Sequence, residues 1–120
     1  MLTIRREQMM AFERDARWRG VLRLAEHLRA TCGERVATCG DDQLRAEVEA
    51  GEAHARRYGI EAEDDVKVFL ECRVELGADF DVREAWAAAV LTDESLFPEE
   101  KASFLADRHV HARFAGGVGA

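Results

Sequence analysis

Lysine is nearly missing from this chain: Lys67 and Lys101 are the two lysines among 17 basic residues, so arginine carries almost all of the positive charge. Proline occurs once, at Pro98, and only nine glycines are spread over 120 residues, so few positions interrupt a helix. The three cysteines, Cys32, Cys39 and Cys72, are an odd number with no Cys-x-x-Cys pair, which argues against a disulfide framework and fits a reducing compartment. No apolar run approaches the roughly 20 residues of a membrane-spanning helix. The opening "MLTIRREQMM" lacks the apolar core and small-residue cleavage site of a signal peptide. The expected location is the cytoplasm, without membrane insertion.

What is present is a helix-prone globular composition, with hydrophobic residues at 48% and charged residues at 34%. A chain of this size buries one continuous core without metal or disulfide staples, so a single domain is expected over residues 1–114, followed by a flexible tail, "AGGVGA", at 115–120. The net charge of −7 is uneven. Residues 1–35 hold eight Arg against five acids, whereas residues 36–120 hold nine Lys or Arg against nineteen acids. Nucleic-acid binding needs a concentrated basic face, so this acidic excess argues against such a partner. An acidic face suits a basic protein partner or simply keeps the surface solvated.

Apolar residues recur at helical spacing along nearly the whole chain. Met9, Phe12, Ala16, Val21, Leu24, Ala25 and Leu28 mark a first segment over residues 5–31, read either as one helix bent near Gly20 or as two in series, with Thr3 as cap and Gly33 as stop. "CGERVATCGD" is a connection with room for one helical turn. Asp41 or Asp42 is a suitable cap for a helix over residues 42–57 carrying Leu44, Val48, Ala55 and Tyr58, and Gly59 is placed to end it in the left-handed conformation. A helix over 62–76 stops at Gly77. One over 82–92 starts from Asp81 and Glu84, which resemble a capping box. Pro98 belongs in the first turn of a helix over 96–114. No run alternates as a half-buried strand requires, so the expected fold is all-α, a single-domain bundle of four to five helices. Its core is expected around Phe12, Leu24, Leu28, Val48, Tyr58, Phe69, Leu70, Leu76, Phe80, Trp86, Val90 and Leu105.

Candidate chemistry is sparse. Glu63, Asp64 and Asp65 are consecutive, so on a helix they fan out by about 100° each and cannot converge on one ligand. In a first turn they complement the positive end of the helix dipole instead. Asp79 and Asp81 form an Asp-x-Asp, but the twelfth position of such a calcium loop is Val90, so a polar turn and a cap explain both acids. The soft ligands Cys32, Cys39, Cys72, His27, His54, His109 and His111 show no zinc-site spacing. Cys72 lies among apolar neighbours, and Ser95 and Ser103 lack any nucleophile elbow. No cofactor or metal is expected. Arg5, Arg6, Arg14, Arg17, Arg19 and Arg23 make the first helix basic, either to dock an acidic surface or to pair with the chain's own acidic part.

"LTIRREQMMAF", "LAEHLRA" at 24–30, "RRYGIEAEDDVKVFLECRVELGADFD" and "AWAAAVLTD" together resemble a group of small helical bacterial proteins from gene clusters of type VI secretion spike, PAAR and effector components. The resemblance spans Leu2 to about Arg108. It is most specific in Tyr58-Gly59-Ile60 followed by Gly77, Phe80, Asp81 and Trp86, and the chain departs from it in having no proline just before Trp86. The group has no established catalytic residues to carry over. The resemblance implies an accessory role: effector adaptor, chaperone or immunity protein. The expectation is therefore a non-enzymatic protein that binds another protein, such as a secreted effector or spike component, with Arg14, Arg17, Arg23, Glu63, Asp64 and Asp79 as candidate contact residues. The competing readings are a small metal-binding or hydrolytic enzyme using Cys72, a histidine and the aspartates, and a helical scaffold that self-associates as a homodimer.

Overall fold

The computed structural model describes the backbone of residues 2–118 and the side chains of residues 13–109. It is all-α, with no strand among the described residues. The elements are α1 Leu2–Thr31, α2 Gly33–Val36, α3 Asp41–Arg56, α4 Glu63–Leu76, α5 Phe80–Arg83, α6 Ala85–Leu91 and α7 Pro98–Val118. α2 and α5 are single turns, so five longer helices build the bundle. α4 is central: α1, α3 and α7 all pack against it, and α6 joins through α7.

The first segment is one uninterrupted helix. Gly20 sits in α1 with only the Arg23 guanidinium near the place of its missing Cβ, at 3.7 Å, so nothing there forces a break. At 1.5 Å per residue α1 is about 45 Å long, and among its described side chains the contribution to the core runs from Val21 through Leu24 and Ala25 to Leu28. Glu13 to Arg19 are exposed without exception. Phe12, Met9 and Thr3 lie outside the residues whose side chains are described.

The helix ends follow local rules. α3 closes with the paired bonds of a Schellman motif, Ile60 N–H to the Ala55 carbonyl at 3.1 Å and Gly59 N–H to the Arg56 carbonyl at 3.0 Å. Gly59 supplies the left-handed φ of 79° that this motif needs, and the buried Ile60 and Ala55 form its apolar contact. Gly77 ends α4 with φ 112°, and Arg83 reaches back to donate to the Leu76 carbonyl. Pro98 opens α7, where the Phe97 N–H donates to Glu100 Oε1 at 3.0 Å. α7 continues past residue 114 to Val118; Gly119 and Ala120 lie outside the described residues.

Two expected caps are corrected. Gly40, in extended conformation, holds the N-cap position of α3, and Asp41 and Asp42 fall in the first turn. Arg29 takes the Asp41 carboxylate at 2.9 Å, which turns it away from a capping role. Asp81 does not cap a helix over 82–92, because it lies inside α5 and is buried. The chain breaks at Glu84, the extended residue that starts α6.

Of the expected core, Leu24, Leu28, Val48, Phe69, Leu70, Phe80 and Leu105 are buried. Tyr58, Leu76 and Trp86 pack against that core while partly exposed, and Val90 is half-buried. The core also takes in Cys32, Val36, Leu44, Ile60, Val66, Cys72, Ala87 and Leu91. Its centre is aromatic, with the Phe69 and Phe80 rings edge-to-face at 5.2 Å.

Candidate functional site

The polar residues that the fold gathers most closely are not the candidate contact residues expected from the sequence. His54 and Tyr58, four apart on and just beyond α3, share one side and turn toward α5. There the Asp81 Oδ2 oxygen accepts from both: from the Tyr58 hydroxyl at 2.6 Å and from His54 Nε2 at 2.7 Å. On the opposite edge of the imidazole, Arg73 of α4 approaches Nδ1 at 2.5 Å. A guanidinium only donates, so Nδ1 accepts, and the ring proton sits on Nε2 facing Asp81. The chain ends in Glu47, whose carboxylate is 3.7 Å from Arg73 Nη2.

The network is dry. The side chains of His54 and Asp81 are 12% and 7% exposed, and the His54 ring stands edge-on to Phe69, centroid to centroid 4.9 Å. Burial pushes the Asp81 carboxyl up, but the hydrogen bonds from Tyr58 and His54 outweigh it and leave the group below the usual carboxylate value. Burial, together with the hydrogen bond to the Asp81 anion, pushes the Tyr58 phenol up to about 12. The anion and the phenol thus keep each other in the protonation states that bond.

Chemically, an aspartate bonded to a histidine is the base end of a nucleophilic triad. Here the free nitrogen of the imidazole faces Arg73 rather than a hydroxyl or thiol, so the histidine is held from both sides. Cys72 is fully buried, and its thiol is pushed up to about 12 by burial and then by Glu71. The network therefore ties α3, α4 and α5 together; it does not present a nucleophile.

A second polar pair joins α1 to α4, His27 Nε2 to Glu71 Oε1 at 2.6 Å. The expected contact residues disperse over the surface. Arg23 and Glu63 meet each other at 3.0 Å, linking α1 to α4. Asp64 pairs with Lys67 at 3.5 Å, and Asp79 with Arg83 at 3.0 Å in the turn before α5. Arg17 lines a shallow groove with Glu49, Glu52 and Arg56, and Arg14 is exposed. Glu63, Asp64 and Asp65 occupy the first turn of α4.

Among the described residues no three His, Cys, Asp or Glu side chains are placed to hold a metal ion. His109 is buried with its Nε2 unpartnered, and the side chain of His111 lies outside those described. No helix among the described residues is long and apolar enough to cross a membrane.

From the sequence alone Tyr58 reads as core, Asp81 as a cap, His54 as one of several loosely spaced zinc ligands, and Arg73 carries no signal. The available signal was the i, i+4 spacing of His54 and Tyr58; nothing local pointed to Asp81 or Arg73 as their partners. Compared with protein-family models, with curated proteins and with solved structures, the chain matches none.

Proposed function

We propose that the protein is a non-enzymatic accessory protein that binds another protein. The observation that carries this reading is an arm within α1, the stretch Glu13 to Arg19, whose residues are all exposed while the same helix from Val21 onward contributes to the core. The arm presents Arg14 and Arg17 together with Trp18, which is 44% exposed. Aromatic and arginine side chains of this kind are the residues that dominate protein interfaces.

Phe97, just before α7, and Phe104, within it, are 67% and 48% exposed and offer a further apolar contact. The acidic excess of residues 36–120 favours a basic partner at the remaining surface. The resemblance to type VI secretion accessory proteins points to a secreted effector or spike component as that partner, met in the cytoplasm, with the protein acting as chaperone, adaptor or immunity protein.

Co-expression with the products of neighbouring genes, followed by size-exclusion chromatography with light scattering, tests this reading. The expected result is a stable complex with one of them, weakened at least tenfold by Trp18→Ala with Arg17→Glu. Failure to form a stable complex with any of them overturns the reading. Light scattering of the protein alone reports a homodimer directly.

A further inference from the structure

A cleft of about 230 Å³ opens where the end of α1 and α2 meet α3 and α4, at the outer end of the polar network. Its floor is apolar and fully buried, made by Leu28, Val36, Leu44 and Leu70 at 1, 4, 2 and 2% exposure. Arg35 and Arg73 are among the residues that line it, as is Glu47. Both are loosely matched: Arg35 approaches Glu75 only to 3.9 Å and Arg73 approaches Glu47 only to 3.7 Å, too far for hydrogen bonds.

The Arg73 side chain is 12% exposed. Among the described residues the one hydrogen bond made by its guanidinium is the bond to His54. A guanidinium has five N–H donors in a planar fork that fits a carboxylate. A largely buried cation with donors to spare above an apolar floor is a site for an acid with a short apolar stem.

We propose that this cleft binds a small monocarboxylic acid, its carboxylate on Arg73 and Arg35 and its stem over Leu44 and Leu70. At roughly 30 Å³ for each water-sized group, the volume holds about eight heavy atoms, the size of a six-carbon acid. Glu47 is the competing anion. It is 59% exposed, so it swings to solvent when the acid enters, and its charge holds the affinity down. Because Arg73 also holds His54, an acid in the cleft is coupled directly to the Asp81 network. The cleft lies at the C-terminal end of α1, away from Glu13 to Arg19, so its test does not rest on the protein-binding reading.

The test is titration of the full chain with sodium hexanoate, hexan-1-ol and hexylamine, followed by nuclear magnetic resonance of the backbone amides and arginine Nε–H groups. Hexanoate is expected to saturate with Kd on the order of 1 mM, a usual strength for eight heavy atoms. Its shifts should centre on Val74 and the Arg73 Nε–H, with the alcohol and the amine at least tenfold weaker. Glu47→Gln should tighten hexanoate severalfold, and Arg35→Gln should weaken it at least threefold. Val74→Trp, which fills the cleft from its half-exposed wall, should abolish it. Arg73 is kept intact because it also supports His54, and Arg35→Gln alone decides the matter should Val74→Trp fail to fold. Hexanol binding as tightly as hexanoate, no saturable hexanoate binding, or indifference to Arg35→Gln would overturn the proposal.

Discussion

Gly51 and Leu70 meet where α3 crosses α4, so closely that a Cβ on residue 51 would run into Leu70 Cδ2. A glycine in mid-helix normally costs up to about 1 kcal/mol relative to alanine. Here it lets two helices approach over a leucine that is 2% exposed. Gly51→Ala is therefore expected to destabilise the fold by about 1–3 kcal/mol despite the better helix former. In a Leu70→Ala background the same change should be neutral or stabilising, because the clash is gone. Urea unfolding of the four proteins gives the coupling, and simple additivity would contradict this account.

The Asp81 network makes a second expectation. Asp81→Ala leaves the Tyr58 hydroxyl and the His54 Nε2–H without their acceptor in a nearly dry site, and should cost about 2–4 kcal/mol. Tyr58→Phe removes one donor and leaves Asp81 bonded to His54, so its cost should be only about 1 kcal/mol. Equal losses for the two variants would show that the carboxylate is not the hub.

Stability should respond to pH through the same groups. Tyr58 is pushed up to about 12, so its contribution is fully present below the unfolded value of about 10 and is lost as pH rises from there through about 12. Asp81 is lowered, so its contribution is present above the ordinary carboxylate value of about 3.9 and is lost as pH falls through its lower folded value. The chain has one tyrosine, so tyrosinate absorbance follows the alkaline step without ambiguity. Tyr58→Phe should flatten stability between about pH 10 and 12; an unchanged alkaline decline would assign the loss elsewhere.

The cysteines should separate by access. Cys72 and Cys32 are buried, Cys39 is half-buried, and burial raises the first two thiols, Cys72 to about 12. Because the thiolate is the reactive form, Cys39 should react first with a disulfide reagent, the others only as the protein unfolds. Uniform reaction of all three thiols in native buffer would contradict the placement of Cys32 and Cys72.

Much of the fold was legible locally. The Schellman end at Gly59, the stop at Gly77, the first-turn acids of α4 and the start of α7 at Pro98 depend on backbone conformation within a few residues, and each appears where the spacing predicts it. The failures share one cause. Asp41 looked like a cap until Arg29, twelve residues earlier, claimed its carboxylate. Asp81 looked like a cap until His54 and Tyr58, more than twenty residues away, took its oxygen.

By itself, the sequence determined that the chain is helical, where most helices end, and which stripe of each is apolar, because capping, glycine conformation and periodicity are short-range physics. Only the tertiary structure decided which charges are paired and which polar groups go into the core, because a carboxylate does whatever its nearest donors require. It also decided that Glu13 to Arg19 of α1 stay exposed and that Arg73 borders an apolar cleft. Both follow from how far each helix reaches past its neighbours, which no local pattern records.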